Sequence, residues 1–136
     1  MIIPSTPSEI CRTGALRILL VEDSELLAER MRELLGQIAD VEVVGTVVDE
    51  GSAVAMTRDR EVHVLILDLQ LKQGTGFGVL RTLGAHRPAT IVFTNYALPE
   101  YRRWAEQFGV EYFLNKSLDF ERLPDVIRTL KQRPHS

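Results

Sequence analysis

From Leu16 onward the chain alternates short apolar runs with amphipathic stretches. LRILLVE (16–22) is rich in leucine and β-branched residues, the pattern of a strand covered on both faces. VEVVGTVV (41–48), HVLILDL (63–69), TIVFTN (90–95) and EYFLN (111–115) predict four more strands, the third being the most apolar. Between them apolar residues recur at helical spacing. Leu27, Met31, Leu34, Leu35 and Ile38 predict a helix that Ser24 can cap, and Ala53 to Arg60 a short one. Val79, Leu80 and Leu83 predict a third, entered through a flexible connection containing Gly74, Gly76 and Gly78. Tyr101, Trp104, Ala105 and Phe108 form the apolar stripe of a fourth, with Pro99 suited to its first turn and Gly109 to its C-terminal end. Phe120, Leu123, Val126, Ile127 and Leu130 mark a fifth, stopped by Pro134.

The alternation predicts an α/β domain: a parallel sheet with helices on both faces, right-handed crossovers, and a site at the carboxyl ends of the strands. The 136 residues fit one domain. Residues 1–15, interrupted by Pro4, Pro7 and Gly14, read as a mobile N-terminal extension, 16–132 as the domain and 133–136 as a tail.

Composition narrows the partners. Apolar residues make up 45% and charged residues 26%, the balance of an ordinary globular protein. With a net charge of −3 and no basic face, direct contact with nucleic acid is not expected. No apolar run approaches the roughly 20 residues that span a bilayer, so no membrane insertion is expected. The start lacks a secretory signal, and Cys11 stands alone without a partner for an internal disulfide. A cytoplasmic location follows as the simplest expectation.

The ends of the predicted strands hold the candidate chemistry. The first ends at Glu22-Asp23, the third at Asp68, the fourth at Thr94, and Lys116 follows the fifth. Singly, each has a plain explanation: an acid capping a turn, a threonine favouring a strand, a solvated lysine. Together, three clustered carboxylates repel one another and require compensation. Lys116 and one divalent cation supply the missing charge, and magnesium suits oxygen ligands and phosphate-bearing substrates.

In ILLVEDS (18–24), LILDLQLKQGTG (65–76), IVFTN (91–95) and YFLNKS (112–117) the chain resembles the receiver domain of bacterial two-component response regulators, over residues 16 to about 132. The resemblance implies a flavodoxin-like (βα)5 fold with strand order 2-1-3-4-5. It implies that Asp68 is the phosphoacceptor, taking phosphate from a histidine kinase or a histidine phosphotransfer protein. It implies Mg2+ held by Glu22, Asp23, Asp68 and the backbone carbonyl of Gln70, with Lys116 and the Thr94 hydroxyl on the phosphoryl oxygens. Thr94 and Phe113 would form the switch that reshapes the surface of the fourth helix, fifth strand and fifth helix. That surface would then bind a downstream protein or a second copy. Such a domain is a signalling module, not an enzyme proper, and here it is expected to stand alone.

The chain departs from the family's pattern at several positions. Phe113 stands where tyrosine is frequent, Lys72 and Ser117 where proline is usual, and Glu22 where aspartate is frequent. A looser loop at Lys72 and an altered aim of Lys116 are the expected consequences. Gln70 and Tyr96 occupy positions that tune phosphate lifetime in the family, and a bulky Tyr96 predicts slow self-dephosphorylation. The departures at Lys72 and Ser117 lend weight to an alternative, an interaction module that keeps the fold without phosphorylation. A phosphatase would want a second acid where Gln70 stands, and a flavin module would want a phosphate-cradling loop where VEDSE is acidic.

Overall fold

The computed structural model describes residues 15–95 and 98–132. Cys11, Tyr96, Pro134, most of the N-terminal extension and the C-terminal tail lie outside the described residues. The strands are β1 (Leu16–Val21), β2 (Val41–Val47), β3 (Val64–Leu67), β4 (Ala89–Thr94) and β5 (Tyr112–Asn115). The helices between and after them are α1 (Glu25–Leu35), α2 (Glu50–Asp59), α3 (Gly76–Leu83), α4 (Pro99–Gln107) and α5 (Leu123–Lys131). All strand pairs are parallel, in the order β2-β1-β3-β4-β5, the flavodoxin-like order implied by the resemblance.

Alternation along β1 and β3 builds two cores, because successive side chains of a strand point to opposite faces. Ile18, Leu20 and Ile66 join Met31 and Leu35 of α1 and Leu123, Ile127 and Leu130 of α5. Leu19, Val21, Leu65 and Leu67 join Ala53 of α2 and Val79 and Leu80 of α3, with Trp104 of α4 and Phe108 just after it packed beside them. A sheet buried on both faces cannot tilt or slide, so the carboxyl ends of β1, β3 and β4 are held at fixed relative positions.

Side-chain caps start the first three helices at the same edge. Ser24 accepts from the Leu27 N–H at 3.2 Å, Asp49 from Ser52 at 2.7 Å and Thr75 from Gly78 at 3.0 Å. Such a cap is worth about 1 kcal/mol.

Helix α2 begins at Glu50, three residues before the predicted Ala53, because Asp49 caps it there. Gly76 and Gly78 lie inside α3 and are buried there. The last helix begins as a 3-10 turn over Phe120–Arg122. Of the α4 stripe only Ala105 is buried; Tyr101 and Trp104 are half-covered, by Phe77 of α3 at ring distances of 5.5 and 4.0 Å.

Candidate functional site

Parallel registration brings the acids together. Val21 pairs with Leu67, and one step further the Asp68 N–H donates to the Val21 carbonyl at 3.0 Å. Glu22 and Asp68 therefore leave neighbouring strands side by side. Both are nearly buried, at 2% and 5% exposure, whereas Asp23 is exposed. One carboxylate oxygen from each of the three lies within 4.8 Å of the others. Thr94, fully buried, ends the adjacent strand, and its carbonyl accepts from the Lys116 N–H at 3.1 Å.

Lys116 supplies the internal counter-charge. Its Nζ stands 2.6 Å from Asp68 Oδ2 and 2.8 Å from Glu22 Oε1. Burial pushes the Glu22 carboxyl above its ordinary 4.5, against the opposing pull of Lys116 and of the Ser24 N–H at 3.0 Å. Burial also disfavours the Lys116 ammonium, but its bonds to Asp68 and Glu22 outweigh that and hold it above 10.5. The second Asp68 oxygen, Oδ1, accepts from the Gln70 N–H at 3.2 Å. Behind Asp68 the backbone of α3 approaches so closely that a Cβ at Gly76 would collide with the Asp68 carbonyl oxygen.

The acids fit a small hard cation. Mg2+ prefers oxygen ligands and is commonly bound through one or two carboxylates. Glu22, Asp23 and Asp68, already gathered within 4.8 Å of one another, would hold such an ion. One positive charge shared between two buried carboxylates also leaves negative charge for a cation to neutralise.

Both positions where the family usually carries proline are bound through their N–H, which a proline could not offer. The Lys72 N–H donates to the Val48 carbonyl at 3.1 Å, tying the loop after β3 to the end of β2 instead of loosening it. The Ser117 N–H donates to Asn115 Oδ1 at 2.8 Å, and the Leu118 N–H joins it at 3.0 Å. Asn115 itself donates its N–H to Asp119 Oδ2 at 2.8 Å, and Asp119 returns a bond to the Asn115 carbonyl, also at 2.8 Å. This closed turn aims Lys116, and no peptide bond among the described residues is cis. Sequence reasoning passed over Asn115 and Asp119; the signal was two Asx-type residues flanking a lysine just after a strand.

Phe113 occupies the face of β5 toward α4, where the Arg102 guanidinium lies 4.6 Å over its ring. It is half-buried and not a core residue.

The family model described as "Response regulator receiver domain" matches residues 18–128. The chain belongs to the response regulator receiver domain family. The receiver domain is 30% identical over 113 residues to the transcriptional regulatory protein DesR of Bacillus subtilis, covering 83% of this chain and 57% of DesR. It is likewise 30% identical over 119 residues to the transcriptional regulatory protein BtsR of Salmonella typhi, covering 86% of this chain and 48% of BtsR. The chain thus spans about half the length of the curated relatives it matches. In structure it resembles the response regulator domain of Thermotoga maritima CheB, with a TM-score of 0.76 and 20% identity, covering 87% of this chain and 95% of the other. That likeness is one of fold. Among the described residues no helix is long and apolar enough to cross a membrane.

Proposed function

We propose that this receiver domain accepts a phosphoryl group on Asp68 from a phosphohistidine of a histidine kinase or phosphotransfer protein, and that the modification resets the α4–β5–α5 surface. The observation carrying this reading is the nearly buried Asp68 carboxylate, with one oxygen on Lys116 and the acids Glu22 and Asp23 gathered beside it. An Asp68 oxygen forms a bond to phosphorus, the phosphorus–nitrogen bond of the phosphohistidine breaks, and the imidazole leaves with the electron pair and takes a proton from water. Hydrolysis of the acyl phosphate later returns the carboxylate and inorganic phosphate.

Phosphoryl transfer depends on placement and charge neutralisation more than on covalent assistance from the protein. Lys116 meets the oxygens of the arriving group, and the Thr94 hydroxyl donates to one of them. Glu22, Asp23, Asp68 and the Gln70 carbonyl would hold Mg2+. When bound, that ion neutralises charge on the transferring phosphoryl. The added charge draws Thr94 toward the phosphate, and Phe113 repacks on the α4 side beneath Arg102. A protein target, or a second copy of the domain, would read the altered surface in the cytoplasm.

Incubation with acetyl phosphate and Mg2+, followed by intact mass measurement, tests the proposal. The expected result is one added phosphoryl group, lost in Asp68→Asn and on chelation. Absence of uptake by the unaltered protein would instead favour a module that works without phosphorylation.

A further inference from the structure

The loop between Asp68 and α3 carries Gln70, whose N–H fixes Asp68 Oδ1. What holds that loop is therefore part of what aims the reacting carboxylate. One end is set by the Gly76 N–H bond to the Leu69 carbonyl at 3.0 Å and by the tight contact of Gly76 with Asp68. The other end is bound to the start of α2. The Glu50 N–H donates to the Gln73 carbonyl at 3.0 Å, and Asp49 and Gln73 form a short parallel bridge.

The Glu50 side chain completes the tie. Its Oε1 accepts from the Thr75 N–H at 3.1 Å, at the cap of α3. The carboxylate occupies space that only glycine leaves open, because a Cβ at Gly74 or Gly78 would overlap it. Gly74 also has φ +85°, a conformation that disfavours any larger residue. An acid at the N-terminal turn of a helix meets its unpaired N–H groups and the positive end of its dipole.

We infer that Glu50 is a positioning residue for the phosphoacceptor site: its carboxylate, locked between Gly74 and Gly78, holds the 69–75 loop so that Gln70 faces Asp68 and the cation. This rests on the reading of the site given under Proposed function. Glu50 is not among the gathered acids Glu22, Asp23 and Asp68. It acts through Thr75 and the loop, as an outer residue orients a ligand, a role whose loss ordinarily lowers metal affinity about 10–100-fold.

The test uses the whole chain with two readouts. One is the Mg2+ concentration giving half-maximal phosphorylation by acetyl phosphate, set against the rate at saturating Mg2+. The other is exchange of the Thr75 amide in metal-free protein. Glu50→Ala is expected to raise the half-saturating Mg2+ about tenfold with little loss of the saturated rate, and to speed Thr75 exchange. Glu50→Gln, which keeps an acceptor oxygen, should remain near the unaltered protein in both.

Gly78→Ala places a methyl against the carboxylate and should resemble Glu50→Ala, although alanine ordinarily favours a helix. The double variant should be no worse than Glu50→Ala alone, because the collision partner is gone. Unchanged Mg2+ dependence in Glu50→Ala, or Glu50→Gln as impaired as Glu50→Ala, would overturn the assignment. If the unaltered protein showed no Mg2+ dependence, the reading of the site would fall. Thr75 exchange would then still decide whether Glu50 holds the loop, with equal rates in Glu50→Ala and the unaltered protein counting against it.

Discussion

Lys116 Nζ lies 2.6 Å from Asp68 Oδ2, and the side chains of both residues are largely buried. The same ammonium reaches Glu22, so one cation holds two carboxylates at the end of the sheet. Removing one partner from a buried ion pair leaves an uncompensated charge, at a cost of about 3–5 kcal/mol. Lys116→Ala is therefore expected to lower the chemical-denaturation midpoint strongly at neutral pH, with part of the loss recovered in acid as Glu22 takes up a proton. Equal losses at both pH values would contradict this account of the pair.

At the site, the two shifted groups Glu22 and Lys116 predict opposite ends of a pH profile. Glu22 is raised by burial, so the folded protein holds its proton more tightly than the unfolded chain does. Its contribution is complete below 4.5 and is lost as pH rises through the folded value. Metal-free protein should thus lose stability between acid and neutral pH relative to Glu22→Gln, measured as urea midpoints. Lys116 is also raised, so its contribution is complete below 10.5 and disappears as pH climbs through the folded value. An alkaline loss that persists unchanged in Lys116→Met would assign that transition to other groups.

The turn that aims Lys116 can be opened at one atom. Asn115 Oδ1 accepts from both Ser117 and Leu118, so Asn115→Ala leaves two backbone donors without their partner. A stability loss of about 1–2 kcal/mol is expected. A slower phosphorylation rate should accompany it, as Lys116 loses its fixed approach. Ser117→Ala keeps the N–H and should change both far less, which calorimetry and a phosphorylation time course can check.

Restoring the family's usual prolines should harm this chain. Lys72→Pro removes the donor to the Val48 carbonyl, and Ser117→Pro removes a donor to Asn115. Each is expected to cost about 0.5–1.5 kcal/mol in a denaturation experiment, with Lys72→Ala close to neutral. A gain in stability from either proline would show that these N–H bonds contribute little.

Much of this was legible along the chain because periodicity and strand ends are local signals. The apolar runs at 16–22 and 63–69 announced the central strands, and the parallel-sheet rule carried Glu22, Asp68, Thr94 and Lys116 to one edge. What stayed hidden depends on pairings across the chain. Nothing local says that Glu50 will sit between Gly74 and Gly78, or that Lys72 will reach Val48. Apolar spacing alone points to a later start of α2 and to a connection at Gly76 and Gly78, whereas the caps at Asp49 and Thr75 set both helix starts earlier.

The central claim concerns which atom receives the phosphoryl group, and chemical trapping addresses it directly. Borohydride reduces an acyl phosphate carbon to an alcohol and leaves free carboxylates intact, so the modified residue is marked permanently. After treatment with acetyl phosphate and Mg2+, peptide sequencing by mass spectrometry should find the reduced side chain at Asp68 alone. Reduction at Asp23 or Glu22, or phosphorylated protein with no reduced aspartate, would contradict the account.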